Sequence, residues 1–266
     1  VPVDPSTGAP PKDPGIRVVL LEKLVSNLKS RGVTKILADA VLDPPYSVFK
    51  SLLSFHEFKL RNPDVPLFMG VGNVTELMDV DSVGVNGLLA VLAQEVGASV
   101  LLTVEASQKT KGSTRELKAA CQMVAISHYK GVPPKNLGLD MLILKDKRLR
   151  ETPLEVEGAK IVEAPEKGVE YPLDPLGVFK IRVNHDEGVI EALYVGSKGK
   201  ILIRGRTAKS VGDAILIHGL ISQLSHAMYL GRELAKAEEA LRLGKNYVQE
   251  FPLFKSLEFI RMETGR

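Results

Sequence analysis

Ile36-Leu37-Ala38-Asp39-Ala40-Val41-Leu42-Asp43-Pro44-Pro45 is the stretch on which the fold turns. The apolar run Thr34 to Leu42 is too short for a helix, and Asp43-Pro44-Pro45 stops it, so it reads as a strand buried on both faces. Before it, Ile16 to Lys29 places Val18, Val19, Leu21, Leu24, Val25 and Leu28 on one helical face, with Gly32 as the stop. After it comes a helix from about Ser47 to Leu60, then a strand from Val65 to Val71 that runs into Gly70-Val71-Gly72-Asn73. A loop follows, then a helix through Leu88 to Val96, a third buried strand from Ser99 to Val104, and a helix from about Thr114 to Tyr129. Strands alternating with helices imply a parallel sheet with right-handed crossovers, either an open doubly wound sheet or part of an eight-stranded barrel. Both put ligands at the carboxyl ends of the strands, here Asp39 to Asp43, Gly70 to Thr75 and Val104 to Ser107.

Composition narrows the classes. The chain has 266 residues, 44% hydrophobic, 25% charged and 5% aromatic, as in globular proteins and unlike disordered, collagen-like or membrane-spanning chains. Its 35 Lys+Arg against 32 Asp+Glu, a net +3 without a basic stripe, give no reason to expect a nucleic-acid partner. The single Cys121 excludes an internal disulfide framework and a four-thiolate metal site within one chain, and a cytoplasmic setting is expected. Asn86, Gln94 and Glu95 interrupt the longest apolar run, Val83 to Leu102, so no membrane span is expected, and there is no signal-peptide pattern. The opening, Val1 to Gly15 with its five prolines, reads as a loop, and the chain is expected to be a fragment that starts within a domain.

Polar residues collect at the strand ends. Asp39 in an apolar strand is either a satisfied structural carboxylate or one that serves a ligand. Asn73 is either a left-handed turn residue or a ligand group. Gly70-x-Gly72 lacks the third glycine of a dinucleotide fingerprint, so no Rossmann cofactor is expected. Lys109, Lys111 and Arg115 are either a solvated basic loop or, with the adjoining helix start, a seat for an anion. The five histidines show no metal spacing, and no metal is assigned.

From Val132-Pro133-Pro134 the composition shifts, which sets a boundary between domains at 1–138 and 139–266. Short strands are expected at Leu139 to Leu144, Val156 to Val162, Val178 to Val183, Val189 to Val195 and Lys200 to Ile203. Asn184 to Gly188 and Gly196 to Gly199 supply hairpin turns. Helices from about Ala208 to His218 and Ser222 to Leu243 complete a small α+β domain. Arg204-Gly205-Arg206-Thr207-Ala208-Lys209-Ser210 joins a strand to a helix start, with Arg204, Arg206 and Lys209 as a candidate anion site and Thr207 as N-cap.

The strand ends together resemble a known family. Ile36 to Pro44, Gly70-Val71-Gly72-Asn73-Val74-Thr75, and Asn86 ahead of Ser99 to Glu105 are similar, in order and spacing, to the pterin-binding barrel family. That family contains dihydropteroate synthases and the methyltransferases that move a methyl group from methyltetrahydrofolate to a corrinoid protein. The resemblance covers Val1 to Tyr129 and implies the C-terminal half of a TIM-type (β/α)8 barrel, with the remaining strands upstream. It implies that Asp39 accepts hydrogen bonds from the pterin ring N–H and exocyclic amine, and that Asn73 reaches the pterin nitrogen beside the reacting methyl group. Gly72-Asn73-Val74 stands where a synthase has Ser-Arg-Lys, and Ser127-His128 is no clean match for its late Arg-His pair. The second half, especially Arg204 to Phe254, resembles the uncharacterised domain appended to archaeal dihydropteroate synthase-related proteins.

The resemblance implies a transferase of folate- or tetrahydromethanopterin-type pterin biosynthesis, condensing a dihydropterin diphosphate with an aryl amine. Asn73 would act in catalysis, a pterin would be substrate or ligand, and no further cofactor would bind in this fragment. One alternative is methyl transfer from a methylated pterin to a corrinoid protein, and another is a non-catalytic pterin-binding scaffold. Half a barrel would leave strand edges unpaired, so homodimerisation or aggregation is expected.

Overall fold

The computed structural model describes residues 1–254 and divides the chain into two compact units, 1–153 and 154–266. The stretch 139–153, which composition placed with the second domain, falls in the first unit, where Met141 packs on the core.

In the first unit, α1 (Pro14–Ser30) starts where the Asp13 carboxylate accepts the Ile16 N–H at 2.9 Å, and Pro14 supplies a first-turn φ with no N–H to satisfy. It buries Val18, Leu21 and Val25. Then follow α2 (Val48–Arg61), β1 (Leu67–Gly70), α3 (Gly72–Glu76), α4 (Ser82–Glu95), β2 (Ala98–Leu102) and α5 (Ser113–Lys130). Strands β1 and β2 pair in parallel, with Phe68 opposite Val100 and Gly70 opposite Leu102. Phe55, Phe58, Leu67 and Met69 are fully buried between sheet and helices, a burial that stabilises by about 1.5–3 kcal/mol for each such side chain.

The strand expected at Thr34 to Leu42 is reduced to one bridge. Ala38 pairs in parallel with Leu67, its N–H donating to Pro66 O and its carbonyl accepting from Phe68 N. The ladder stops there because the Asp39 carboxylate turns back onto the Val41 N–H, and Val41 takes φ 66°, which bends the chain away from β1. The order Ala38, β1, β2 across the sheet follows the chain.

The strands expected at Leu139 to Leu144 and Val156 to Val162 do not form. Asp140 bonds the Leu142 N–H and diverts the first run into a local turn. In the second, Ala159 N bonds Val156 O through a turn containing Gly158 at φ 76°, and Val156, Ile161 and Val162 stay exposed without a sheet to pair with.

The second unit is an antiparallel meander of β3 (Gly177–Asn184), β4 (Val189–Gly196) and β5 (Gly199–Gly205), followed by α6 (Ala208–Ile217) and α7 (Leu224–Leu243). Phe179, Ile181, Ile190, Ala192, Tyr194 and Ile203 form a core with Val211, Ile215, Leu230 and Leu234 of the helices. Gly196 has no room for a side chain, since a Cβ there would overlap the Leu176 carbonyl and the Tyr194 hydroxyl. The outer edge of β3 is met by a side chain: Ile181 N–H donates to Gln249 Oε1 at 2.9 Å, and Gln249 Nε2 donates to Phe179 O at 3.2 Å.

Asp174, its side chain fully buried, seats the start of α7. It accepts from Ser222 N (2.8 Å), Ser222 Oγ (2.7 Å), Gln223 N (3.1 Å) and Leu176 N (3.0 Å), and lies 3.1 Å from His226 Nδ1. Burial pushes its carboxyl up, but the Ser222, Leu176 and Gln223 hydrogen bonds outweigh that and hold it well below the ordinary carboxylate range.

Candidate functional site

The site is built where the first strands end. Asp39 follows the bridging Ala38, is half-buried, and uses Oδ1 to accept the Val41 N–H at 2.8 Å. Burial raises its pKa, partly offset by the Val41 hydrogen bond, the amino-terminal charge and Arg17. An ionised carboxylate has about four lone-pair positions, so one accepted bond leaves room for a two-donor ligand edge.

Asn73, exposed in the first turn after β1, donates from Nδ2 to Leu42 O at 3.0 Å. The structure therefore brings Asn73 against the loop that begins at Asp39. Beneath that loop lies Arg17, 2% exposed, bonded to the Ala40, Val41 and Pro11 carbonyls and to Asp43. Sequence reasoning missed Arg17; its signal was a charge beside Val18, Leu21 and Val25 on the buried face of α1.

The third strand end is arranged differently. Lys109 donates to Met78 O and Asp79 Oδ1, both at 2.8 Å, while Lys111 and Arg115 are exposed. The start of α5 already holds a carboxylate, because Glu105 Oε1 accepts the Thr114 N–H at 2.9 Å. The Gly112 and Thr114 N–H groups bring Glu105 down to about 2. Glu76 is likewise lowered to about 2 by the Ser107 and Thr110 hydroxyls and accepts the Ala106 N–H. Asn86, fully buried in α4, donates to Ser113 Oγ and Glu116, but its Oδ1 has no partner among the described residues. A cavity of about 520 Å³ beside β2 is lined by Leu101, Leu117, Cys121 and Val124. Burial raises the Cys121 thiol pKa.

The basic tract of the second unit is also engaged by its own carboxylates. Arg204 pairs with Glu187 and, at 3.2 Å, with Glu191, and Lys209 pairs with Asp213 at 2.5 Å. Thr207 caps α6 by accepting the Ser210 N–H, and Glu238 Oε2 accepts the Ala208 N–H at 2.7 Å. Arg206 is exposed. Arg204, Arg206 and Lys209 are thus not gathered around one vacant seat. What the sequence concealed is that Glu105 and Glu238 reach helix starts 9 and 30 residues away.

Among the described residues no group of three or more His, Cys, Asp or Glu could hold a metal ion, and no helix is long and apolar enough to cross a membrane.

Residues 173–250 match the family PterinBD-DUF4346. The chain is 41% identical over 245 residues to the uncharacterized protein MJ0107 of Methanocaldococcus jannaschii, covering 90% of this chain and 46% of that protein. It therefore spans just under half the length of that relative. It is 36% identical over 87 residues to the uncharacterized protein ycf91 of Pyropia yezoensis, covering 29% of this chain and 74% of that protein. With the Ycf91-like protein of Nostoc sp. it shares 31% identity over 106 residues, 29% of this chain and 84% of that protein.

Proposed function

The chain belongs to the family of the Ycf91-like proteins, with a pterin-binding-related domain at residues 173–250, and on that premise we propose that it binds a pterin at the strand ends of its first unit. The observation that carries the reading is Asp39, a half-buried carboxylate at a strand end whose only bond among the described residues is to its own turn. A pterin presents two parallel donors along a guanidine-like edge, and a carboxylate meets both in one plane. We take the first unit as the C-terminal half of a TIM-type barrel, a reading supported by the parallel order of Ala38, β1 and β2 with helices between them. Copies would then pair along the two open sides of that sheet.

The activity we propose is dihydropteroate synthase-like and belongs to a cytoplasmic pathway of folate or tetrahydromethanopterin type. The nitrogen of an aryl amine forms a C–N bond to the pterin methylene as the C–O bond to diphosphate breaks. The electron pair leaves on the diphosphate, and the amine proton passes to water. Lys111 and Arg115 are the exposed cations available to the departing charge. A second reading, methyl transfer from a methylated pterin to a corrinoid protein, is favoured by one contact: Asn73 is held by Leu42 O in the Asp39 loop, where an uncharged amide can serve the pterin nitrogen.

Calorimetric titration of 6-hydroxymethyl-dihydropterin into the protein and into Asp39→Asn tests the reading. Saturable binding weakened at least about tenfold by the substitution is expected, the loss of one charge-assisted hydrogen bond. Absence of binding to the parent protein would remove it. Turnover with an aryl amine against methylation of a corrinoid protein then separates the two activities, and binding without either leaves a scaffold.

A further inference from the structure

We infer that Arg17 is the positioning residue of the Asp39 carboxylate, holding the Ala40–Asp43 turn in the bent form that keeps Asp39 half-exposed at the strand end. The inference rests on the proposed pterin site for its ligand, though not for its structural half.

A guanidinium has five N–H donors, and here all five are placed. Nε and one Nη2 hydrogen go to Pro11 O at 2.8 and 2.6 Å. Nη1 spans Ala40 O at 3.2 Å and Val41 O at 2.8 Å, and Nη2 also reaches Asp43 Oδ2 at 2.8 Å. At 2% exposure this cation is out of water, and Asp43 supplies its counter-charge. Such a group is tolerated in a core only when every donor is met, so the turn and the arginine fix one another.

The turn needs fixing. Val41 has φ 66°, a left-handed conformation that a β-branched side chain resists. The Ala40 and Val41 carbonyls converge on Nη1 only if the chain reverses there, and the same reversal lets the Val41 N–H fall on Asp39 Oδ1. Were Val41 to relax to an extended φ, the run would continue as the strand that the sequence suggests, and Asp39 would lose its anchoring bond. Lysine has one donor head in place of a planar fork and could hold one of these carbonyl groups but not all three segments.

The test is a double-substitution cycle of Arg17→Lys and Arg17→Gln against Val41→Gly, with pterin titrations in parallel. Glycine adopts φ 66° without strain, so a turn built with it depends less on the arginine. The expected result is non-additive: each Arg17 substitution lowers the unfolding midpoint of the first unit less in the Val41→Gly background than alone. NMR titration of the Asp39 carboxyl, made without ligand, is expected to move upward in Arg17→Lys and further in Arg17→Gln. Loss of the turn strips the Val41 bond in both, and Gln also removes the nearby charge; Asp43 and the amino terminus remain as the other charges near it. Pterin affinity should fall at least about tenfold in Arg17→Lys and recover in part in Arg17→Lys/Val41→Gly. Additive midpoints with an unmoved Asp39 titration would overturn the inference, even if pterin binds. Coupling with no pterin binding to the parent would leave Arg17 as organiser of the turn and discard the ligand.

Discussion

Replacing Asp174 by Asn is nearly isosteric, yet it should cost the second unit part of its stability. Oδ2 accepts the N–H of Gln223, the N-cap of α7, and that of Ser222 just before it. An Asn amide therefore keeps its oxygen there and puts its nitrogen in the place of Oδ1, where Ser222 Oγ can turn to accept but the Leu176 N–H faces a donor. At about 1–3 kcal/mol for a buried unmet group, the loss is about 1–3 kcal/mol. A unit of this size has a total of roughly 5–15 kcal/mol, and its unfolding midpoint should fall by at least roughly 4 °C. Scanning calorimetry with circular dichroism would measure it, with Ser222→Ala as a control expected to cost about 1 kcal/mol. The pH dependence gives a second reading. Because the folded pKa is depressed, the carboxylate's contribution is present above the ordinary value of 3.8 and is lost as pH falls through the folded value. The Asn variant should lack that acid-dependent loss. A midpoint within 2 °C of the parent (roughly 0.5 kcal/mol) and an unchanged acid profile would refute the capping argument.

Two further substitutions probe the packing. Phe55→Ala, at a fully buried position in the first unit, should destabilise that unit by about 3–5 kcal/mol, read from its urea midpoint. Gly196→Ala should prevent the meander from forming, because the new methyl overlaps the Leu176 carbonyl; a soluble variant with the parent near-ultraviolet circular dichroism would show that this crossing can give way.

Elements with their own periodicity were legible in the sequence. The stripe of α1, the turn signals around β3 to β5, and the long helix that became α7 depend on residues close in sequence. Thr34 to Leu42, Leu139 to Leu144 and Val156 to Val162 were misread because an apolar run states a preference and not a partner; side chains or turns took their backbone groups instead. The site divides in the same way. Asp39 could be picked out as a charge in an apolar run at a strand end. The dependence of its turn on Arg17, 24 residues from Val41, could not. The candidate anion tracts showed their cations plainly, but a sequence does not say which carboxylate will arrive first.

The amide of Gln249 gives the second unit an asymmetry. A three-stranded sheet has two outer strands, and either could in principle be extended by another chain through backbone pairing. On β3 the groups of Phe179 and Ile181 are already spoken for, and Gln249 is itself tethered to the Tyr229 hydroxyl at 2.8 Å. An incoming strand would have to unseat that tether before its first bond formed. On β5 the described residues place no such plug, so growth of the sheet by strand addition is directed to one side, and a single glutamine decides which.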